Sequence, residues 1–122
     1  MTNGIYTRSE IEQQSQAWTE TLAGFSRQKK ILAEALAGSG KQAWLVTGCG
    51  STHYASLSAA ALLRRFGIAA WAYPAAEIVY FGDMLPRGDV NLLTISRSGT
   101  TTETQWAVDR YRKSNPHGKV VS

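Results

Sequence analysis

Apolar residues at Ile11, Trp18, Leu22, Phe25, Leu32 and Leu36 recur at helical spacing through an otherwise polar stretch. One apolar stripe of that period predicts a helix, or two helices if Gly24 marks a break. "TRSE" at 7–10 has the form of a capping box, with Thr7 as N-cap and Glu10 three residues on. Residues 1–6 read as a loose lead-in, and "AGSGKQ" at 37–42 ends the stripe.

From residue 43 the pattern changes to short apolar runs separated by helical segments. "AWLVT" is a strand, "GCGSTH" a glycine-rich turn, and "YASLSAAALLRRF" a helix rich in small residues, with Gly67 as its stop. "IAAWAY" is a second strand closed by Pro74. "AAEIVYFG" is a short helix and "DMLPRGD" a loop. "VNLLTIS" is a third strand, and "TETQWAVDRYRK" a helix on which Ala107, Val108 and Tyr111 share a face. "SNPHG" turns the chain and "KVVS" begins a fourth strand. Strands apolar throughout and separated by helices indicate a parallel sheet covered on both faces. The expected class is α/β, doubly wound and mainly parallel, with the chain ending inside its fourth strand, as a fragment would. Residues 1–40 read as an N-terminal helical segment and 41–122 as the α/β part.

Composition narrows the function. At 122 residues the chain is about one domain long. Thirteen basic and nine acidic residues leave a net charge of +4, which suits an anionic ligand. The basic residues are scattered, apart from Arg27-Lys29-Lys30 and Arg110-Arg112-Lys113, which read as solvated helix faces, so no nucleic-acid partner is expected. Trp44, Trp71 and Trp106 read as core or interface residues, because no basic groove accompanies them as a base-stacking platform needs. The single cysteine, Cys49, excludes an internal disulfide and a cysteine-rich zinc module, and fits a reducing, cytoplasmic setting. No run approaches the ~18 apolar residues of a membrane span, so no membrane partner is expected.

Two turns carry the candidate chemistry: "TGCGSTH" at 47–53 and "SRSGTTTET" at 96–104, the second with six hydroxyls in nine positions. Both fall between a strand and a helix N-terminus, at the carboxyl ends of parallel strands where such sheets bind ligands. Unpartnered helix amides, glycines that let a ligand approach the backbone, and hydroxyl donors together favour a phosphate. In the second turn, Thr100 and Glu103 also fit a capping box. That pattern leaves Ser96, Ser98 and Thr101 unexplained.

Rival chemistries fit less well. "GCGSTH" begins like a dinucleotide fingerprint, but His53 replaces the third glycine and no acidic residue ends the second strand, so no nicotinamide cofactor is expected. The chain contains no G-x-x-x-x-G-K-[ST] P-loop. Cys49 lacks an evident histidine–acid pair and reads as a small residue packed in a tight turn. His53 reads as a helix-start or supporting residue, and His117 carries no signal. Arg97, between two serines, either clamps the ligand or pairs with a neighbouring subunit.

In this order and about 45 residues apart, the turns resemble those of the sugar isomerase (SIS) domain family. "GCGSTHYAS" is similar to its G-C-G-T-S turn and "SRSGTTTET" to its S-x-S-G-x-T phosphate turn. "EIEQQSQAW" at 10–18 resembles the segment leading into the first SIS domain of a two-domain subgroup. That subgroup contains the isomerase half of glutamine-fructose-6-phosphate aminotransferase and galactosamine-6-phosphate deaminase/isomerase-like proteins. The resemblance covers nearly the whole chain. It implies a flavodoxin-like, five-stranded parallel sheet, of which 41–122 is the incomplete N-terminal part, and a homodimer in the complete protein. It assigns Ser96, Arg97, Ser98 and Thr101 to phosphate, Ser51 and Thr52 to the sugar, and Gly48, Gly50 and Gly99 to the supporting turns.

The chemistry implied is aldose–ketose isomerisation of a sugar phosphate, or amination or deamination of an amino sugar, by proton transfer at C1 and C2 without metal or cofactor. Some features depart from the family. No cysteine follows the first methionine, so no glutaminase half is expected. Ser15 stands where relatives often have proline, and the order of His53 and Tyr54 is reversed relative to some of them. The family's catalytic glutamate, histidine and lysine lie in the later SIS domain or chain end, so catalytic residues are expected beyond Ser122 and the chain alone is expected to be inactive. The alternative implied is a SIS module that senses a phosphosugar without chemistry. The stretch before "AWLVT" is too short for the DNA-binding domain that SIS transcription regulators carry there.

Overall fold

The computed structural model describes residues 4–39 and 42–122, in two compact units that divide between Gly38 and Ser39. The first is a single helix, α1 (Ile5–Ala35), unbroken at Gly24. One interior glycine costs a helix only about 1 kcal/mol, too little to interrupt 31 residues. The expected cap at Thr7 is corrected. The N-cap is Gly4, at φ 85°, and Thr7 and Glu10 both lie inside the helix. Gly4 supplies the left-handed turn that starts the helix, and the Arg8 amide donates back to its carbonyl at 2.9 Å. Arg8 instead pairs with Glu12 one turn on, at 2.8 Å. None of the helix's residues is buried, and Ile11, Trp18, Leu22 and Phe25 of the stripe are exposed. Of the expected lead-in, residues 1–3 lie outside the described residues, as do Gly40 and Lys41 of "AGSGKQ".

The second unit alternates strands and helices: β1 (Ala43–Gly48), α2 (Ser51–Arg65), β2 (Ala70–Pro74), α3 (Ala75–Phe81), β3 (Val90–Ile95), α4 (Thr102–Ser114) and β4 (Val120–Val121). A 3-10 turn, Gly82–Met84, follows α3. Helix α2 begins three residues before the expected Tyr54, so Ser51, Thr52 and His53 form its first turn. It ends as expected, with Gly67 at φ 77°. Pro74 ends the edge strand β2, where its missing amide proton costs no ladder bond.

All pairings are parallel, in the order β2-β1-β3-β4. The α/β doubly wound class is therefore the one observed, with four strands among the described residues where the resemblance implies five. The order reverses between β1 and β3. The chain steps from β1 outward to β2, then returns to the other side of β1 for β3. Such a switch point opens a crevice at the carboxyl ends of the two strands.

Leu45 and Leu92 pack with Ala75 and Ile78 of α3, Ala107 and Tyr111 of α4, and Val90 in one buried cluster. Trp44 and Val46 alternate with Leu45 and so point to the other face. There α2 packs along β1 and β2, burying Ser56 and Ala60. Trp44 is a core residue, whereas Trp71 and Trp106 are exposed.

Two polar groups tie the strands together from inside. Asn91, fully buried, donates to Gln42 Oε1 at 2.9 Å and accepts from the Lys119 amide at 3.0 Å, joining the start of β1 to the approach of β4. The Tyr111 hydroxyl donates to the Val90 carbonyl and so locks α4 to the start of β3.

Candidate functional site

The register of β1 with β3 sets the geometry of the site. Gly48 pairs with Ile95, so the two strands end level. Their next residues, Cys49 to Thr52 and Ser96 to Thr101, therefore leave the sheet side by side. They enclose an open cleft of about 380 Å³ lined by Cys49, Ser51, Thr52, Ser96, Arg97, Ser98 and Thr101. All six side chains expected to contact ligand line this one cleft.

The first turn is tight. Gly48 lies against Thr52, and a Cβ there would meet Thr52 Oγ1 at 2.6 Å and its backbone carbon and oxygen at 2.7 Å. Gly50, at φ 59°, is the N-cap of α2 and makes no side-chain cap. The Thr52 hydroxyl closes the turn on both sides: it accepts from the Cys49 amide and donates to the Cys49 carbonyl, each at 3.0 Å. Its one proton is committed, so Thr52 meets a ligand as an acceptor or through its methyl group. Ser51 is exposed, and its hydroxyl has no partner among the described residues.

The second turn holds its hydroxyls differently. Ser96 Oγ accepts from the Gly99 amide at 3.1 Å. Ser98 Oγ accepts from both the amide and the hydroxyl of Thr100, at 3.2 and 3.1 Å. Both serines serve their own turn as acceptors and keep their protons to donate outward. Gly99 has φ 69°, a conformation open to glycine, so the chain can fold back over the two serines.

The expected capping box of Thr100 and Glu103 is corrected. The N-cap of α4 is Thr101, one residue later, and it makes no side-chain bond to the helix. Thr100 instead turns back to Ser98. Neither α2 nor α4 is capped by a side chain. In α2 the Thr52 and His53 amides already donate to the Cys49 and Gly50 carbonyls, at 3.3 and 3.1 Å, so at that end the helix dipole more than a set of free amides favours an anion.

Arg97 carries the only formal charge among the seven lining side chains; it is exposed and forms no ion pair among the described residues. The cleft thus combines one exposed cation with hydroxyl donors and two helix starts, and no carboxylate lines it. Such a surface suits a phosphate bound reversibly.

Cys49, which the sequence marks only as a small residue in a tight turn, also lines the site. It is half-buried and present in the cleft wall as well as in the tight turn. Thr104, the last hydroxyl of the second turn's motif, lines a second cavity with Gln105 and Ser96 rather than the cleft. His53 sits in the first turn of α2 but does not line the cleft. Among the described residues no group of three or more His, Cys, Asp or Glu side chains is placed to hold a metal ion. Nor is any helix long and apolar enough to cross a membrane.

The fold is similar to that of the tagatose-6-phosphate ketose/aldose isomerase from Escherichia coli. The TM-score is 0.85 at 24% sequence identity over 96% of this chain. The chain spans 34% of that isomerase's length. No family model and no curated protein matches the chain.

Proposed function

We propose that the chain is the phosphate-binding part of an aldose–ketose isomerase acting on phosphorylated sugars. The observation that carries this reading is the cleft at the β1/β3 switch point, where Ser51, Ser96, Arg97, Ser98 and Thr101 converge with two uncapped helix starts. The shared fold with a ketose/aldose isomerase for tagatose 6-phosphate favours isomerisation over amination or deamination of an amino sugar.

Aldose–ketose isomerisation moves a proton between C1 and C2 through an enediol and leaves the overall oxidation state of the sugar unchanged. It therefore needs a positioned base rather than a redox partner. None of the seven lining side chains is a carboxylate or an imidazole. The cleft's task is to grip the phosphate at one end of the sugar and fix where the reacting carbons lie. The proton is moved by groups outside these seven residues.

Calorimetric titration with tagatose 6-phosphate, fructose 6-phosphate, galactosamine 6-phosphate, free fructose and NAD tests this reading. The phosphosugars should bind, and free fructose and NAD should not. Binding of NAD alone would contradict it. Tight binding of galactosamine 6-phosphate with none of the ketose phosphates would move the assignment to an amino-sugar enzyme. Binding without turnover by the complete gene product would identify a sensing module.

A further inference from the structure

Helix α1 carries its apolar residues at two places of a seven-residue repeat. Ile11, Trp18, Phe25 and Leu32 are spaced seven apart, and Leu22 and Leu36 stand four residues after Trp18 and Leu32. The other two residues in that second place are Ser15 and Lys29. Such spacing, sustained along a helix, is the seam of one that pairs with another helix. Ile11, Trp18, Leu22 and Phe25 are each more than half exposed, and no residue of the helix is buried. A helix in a folded protein draws most of its stability from packing its apolar face, so a seam this long calls for a partner.

We propose that α1 pairs antiparallel with α1 of a second copy of this chain. Charge along the helix selects both the partner and the direction. Its first half, to Glu20, carries Glu10, Glu12 and Glu20 against the single cation Arg8. Its second half carries Arg27, Lys29 and Lys30 against the single anion Glu34. An antiparallel copy brings each half against the opposite sign and opposes the two helix dipoles. A parallel copy would set like charge on like. Residue size fixes the register. With Trp18 level with Leu22 of the second copy, two-fold symmetry sets Phe25 level with Ser15 and Ile11 level with Lys29. Each aromatic ring then meets a leucine or a serine rather than a second ring. The Lys29 stem lies along Ile11 while its ammonium reaches toward the end that bears Glu10 and Glu12. Polar residues inside an apolar seam specify register in this way, at some cost in stability. The pairing does not depend on which ligand the cleft takes.

Sedimentation equilibrium of the full chain, over a range of protein concentrations, tests the pairing. The parent should be a dimer that weakens as salt is raised, because exposed charges are then screened. Trp18→Ala should weaken it on the order of 100-fold, since each dimer loses two buried rings. Glu10→Lys with Glu12→Lys should weaken it about ten-fold, and so should Lys29→Glu with Lys30→Glu. Mixed in equal amounts, those two charge variants should form a heterodimer tighter than either forms with itself. All these positions are exposed, so the α/β part should fold as in the parent. A monomeric parent chain overturns the proposal. So does a Trp18→Ala chain that associates as the parent does, because the contact then lies off this seam. If Glu10→Lys with Glu12→Lys leaves the dimer unchanged, the acidic half does not meet the basic half and the antiparallel pairing falls.

Discussion

Gly48 stands opposite Ile95 in the parallel pairing of β1 with β3, and that pairing brings two turns far apart in sequence together at one cleft. A slip of one residue would carry Ser96 and Ser98 away from Ser51 and turn every β3 side chain to the opposite face. Buried Leu92 and its neighbours in the core oppose such a slip, so the core that stabilises the sheet also aligns the site.

Gly48→Ala tests the tightness of the first turn. The added methyl would press on the backbone of Thr52, which cannot shift without moving the start of α2. A loss of about 1–3 kcal/mol in urea denaturation is expected, as for other overpacked sites. Stability equal to the parent's would contradict the close approach.

Ser98→Ala combined with Thr101→Ala separates ligand binding from helix capping. Thr101 makes no side-chain cap, and the bonds Ser98 accepts from Thr100 are exposed, so stability should fall by no more than about 1 kcal/mol. Phosphosugar affinity should fall on the order of 100-fold, because two hydrogen bonds to charged oxygens are lost. Equal affinity in parent and variant would return these hydroxyls to a structural role.

Much of this arrangement is legible in the sequence, and the rest is hidden for definable reasons. Uninterrupted apolar runs mark β1 and β3, and the hydroxyl-rich turns after them mark the cleft. The capping-box pattern misleads twice in the same way. The patterns at Thr7–Glu10 and Thr100–Glu103 satisfy the capping-box rule, yet each helix begins elsewhere. Gly4 starts one of them, and in the other Thr100 turns back to Ser98. Local pattern cannot register such competition. Asn91 is similarly opaque: nothing in its local pattern shows that it is fully buried, because Gln42 and Lys119 satisfy it from positions distant in sequence. Thr104 gives no signal because a buried hydroxyl and an exposed one read alike on a short helix.

Arg97 should act through charge rather than fixed contacts. Arg97→Ala is expected to weaken binding of a phosphorylated ligand about ten-fold at low ionic strength, and less at 0.5 M salt, where an exposed charge is screened. Arg97→Lys should recover part of the loss. An effect of Arg97→Ala on self-association alone, with affinity unchanged, would instead assign the side chain to a subunit contact.

The Tyr111 hydroxyl makes stability depend on alkaline pH. Burial pushes its pKa from 10.0 up to about 12, so the folded protein favours the neutral phenol. That contribution is fully present below pH 10 and is lost between pH 10 and 12, at up to about 1.4 kcal/mol per pH unit. Tyr111→Phe strands the Val90 carbonyl and should cost about 1–3 kcal/mol at pH 8. The gap between parent and variant should narrow as pH rises from 10 to 12. A gap constant over that range would contradict a phenol held neutral by burial.

The central claim is that the β1 and β3 turns form one anion site. Titration of the isotope-labelled chain with inorganic phosphate, followed through backbone amide shifts, tests it most directly. Saturable shifts are expected together at Gly50–His53 and Ser96–Thr102, with a single dissociation constant for both groups. Shifts confined to one turn, different constants for the two, or changes centred on the basic face of Arg110, Arg112 and Lys113 would contradict it.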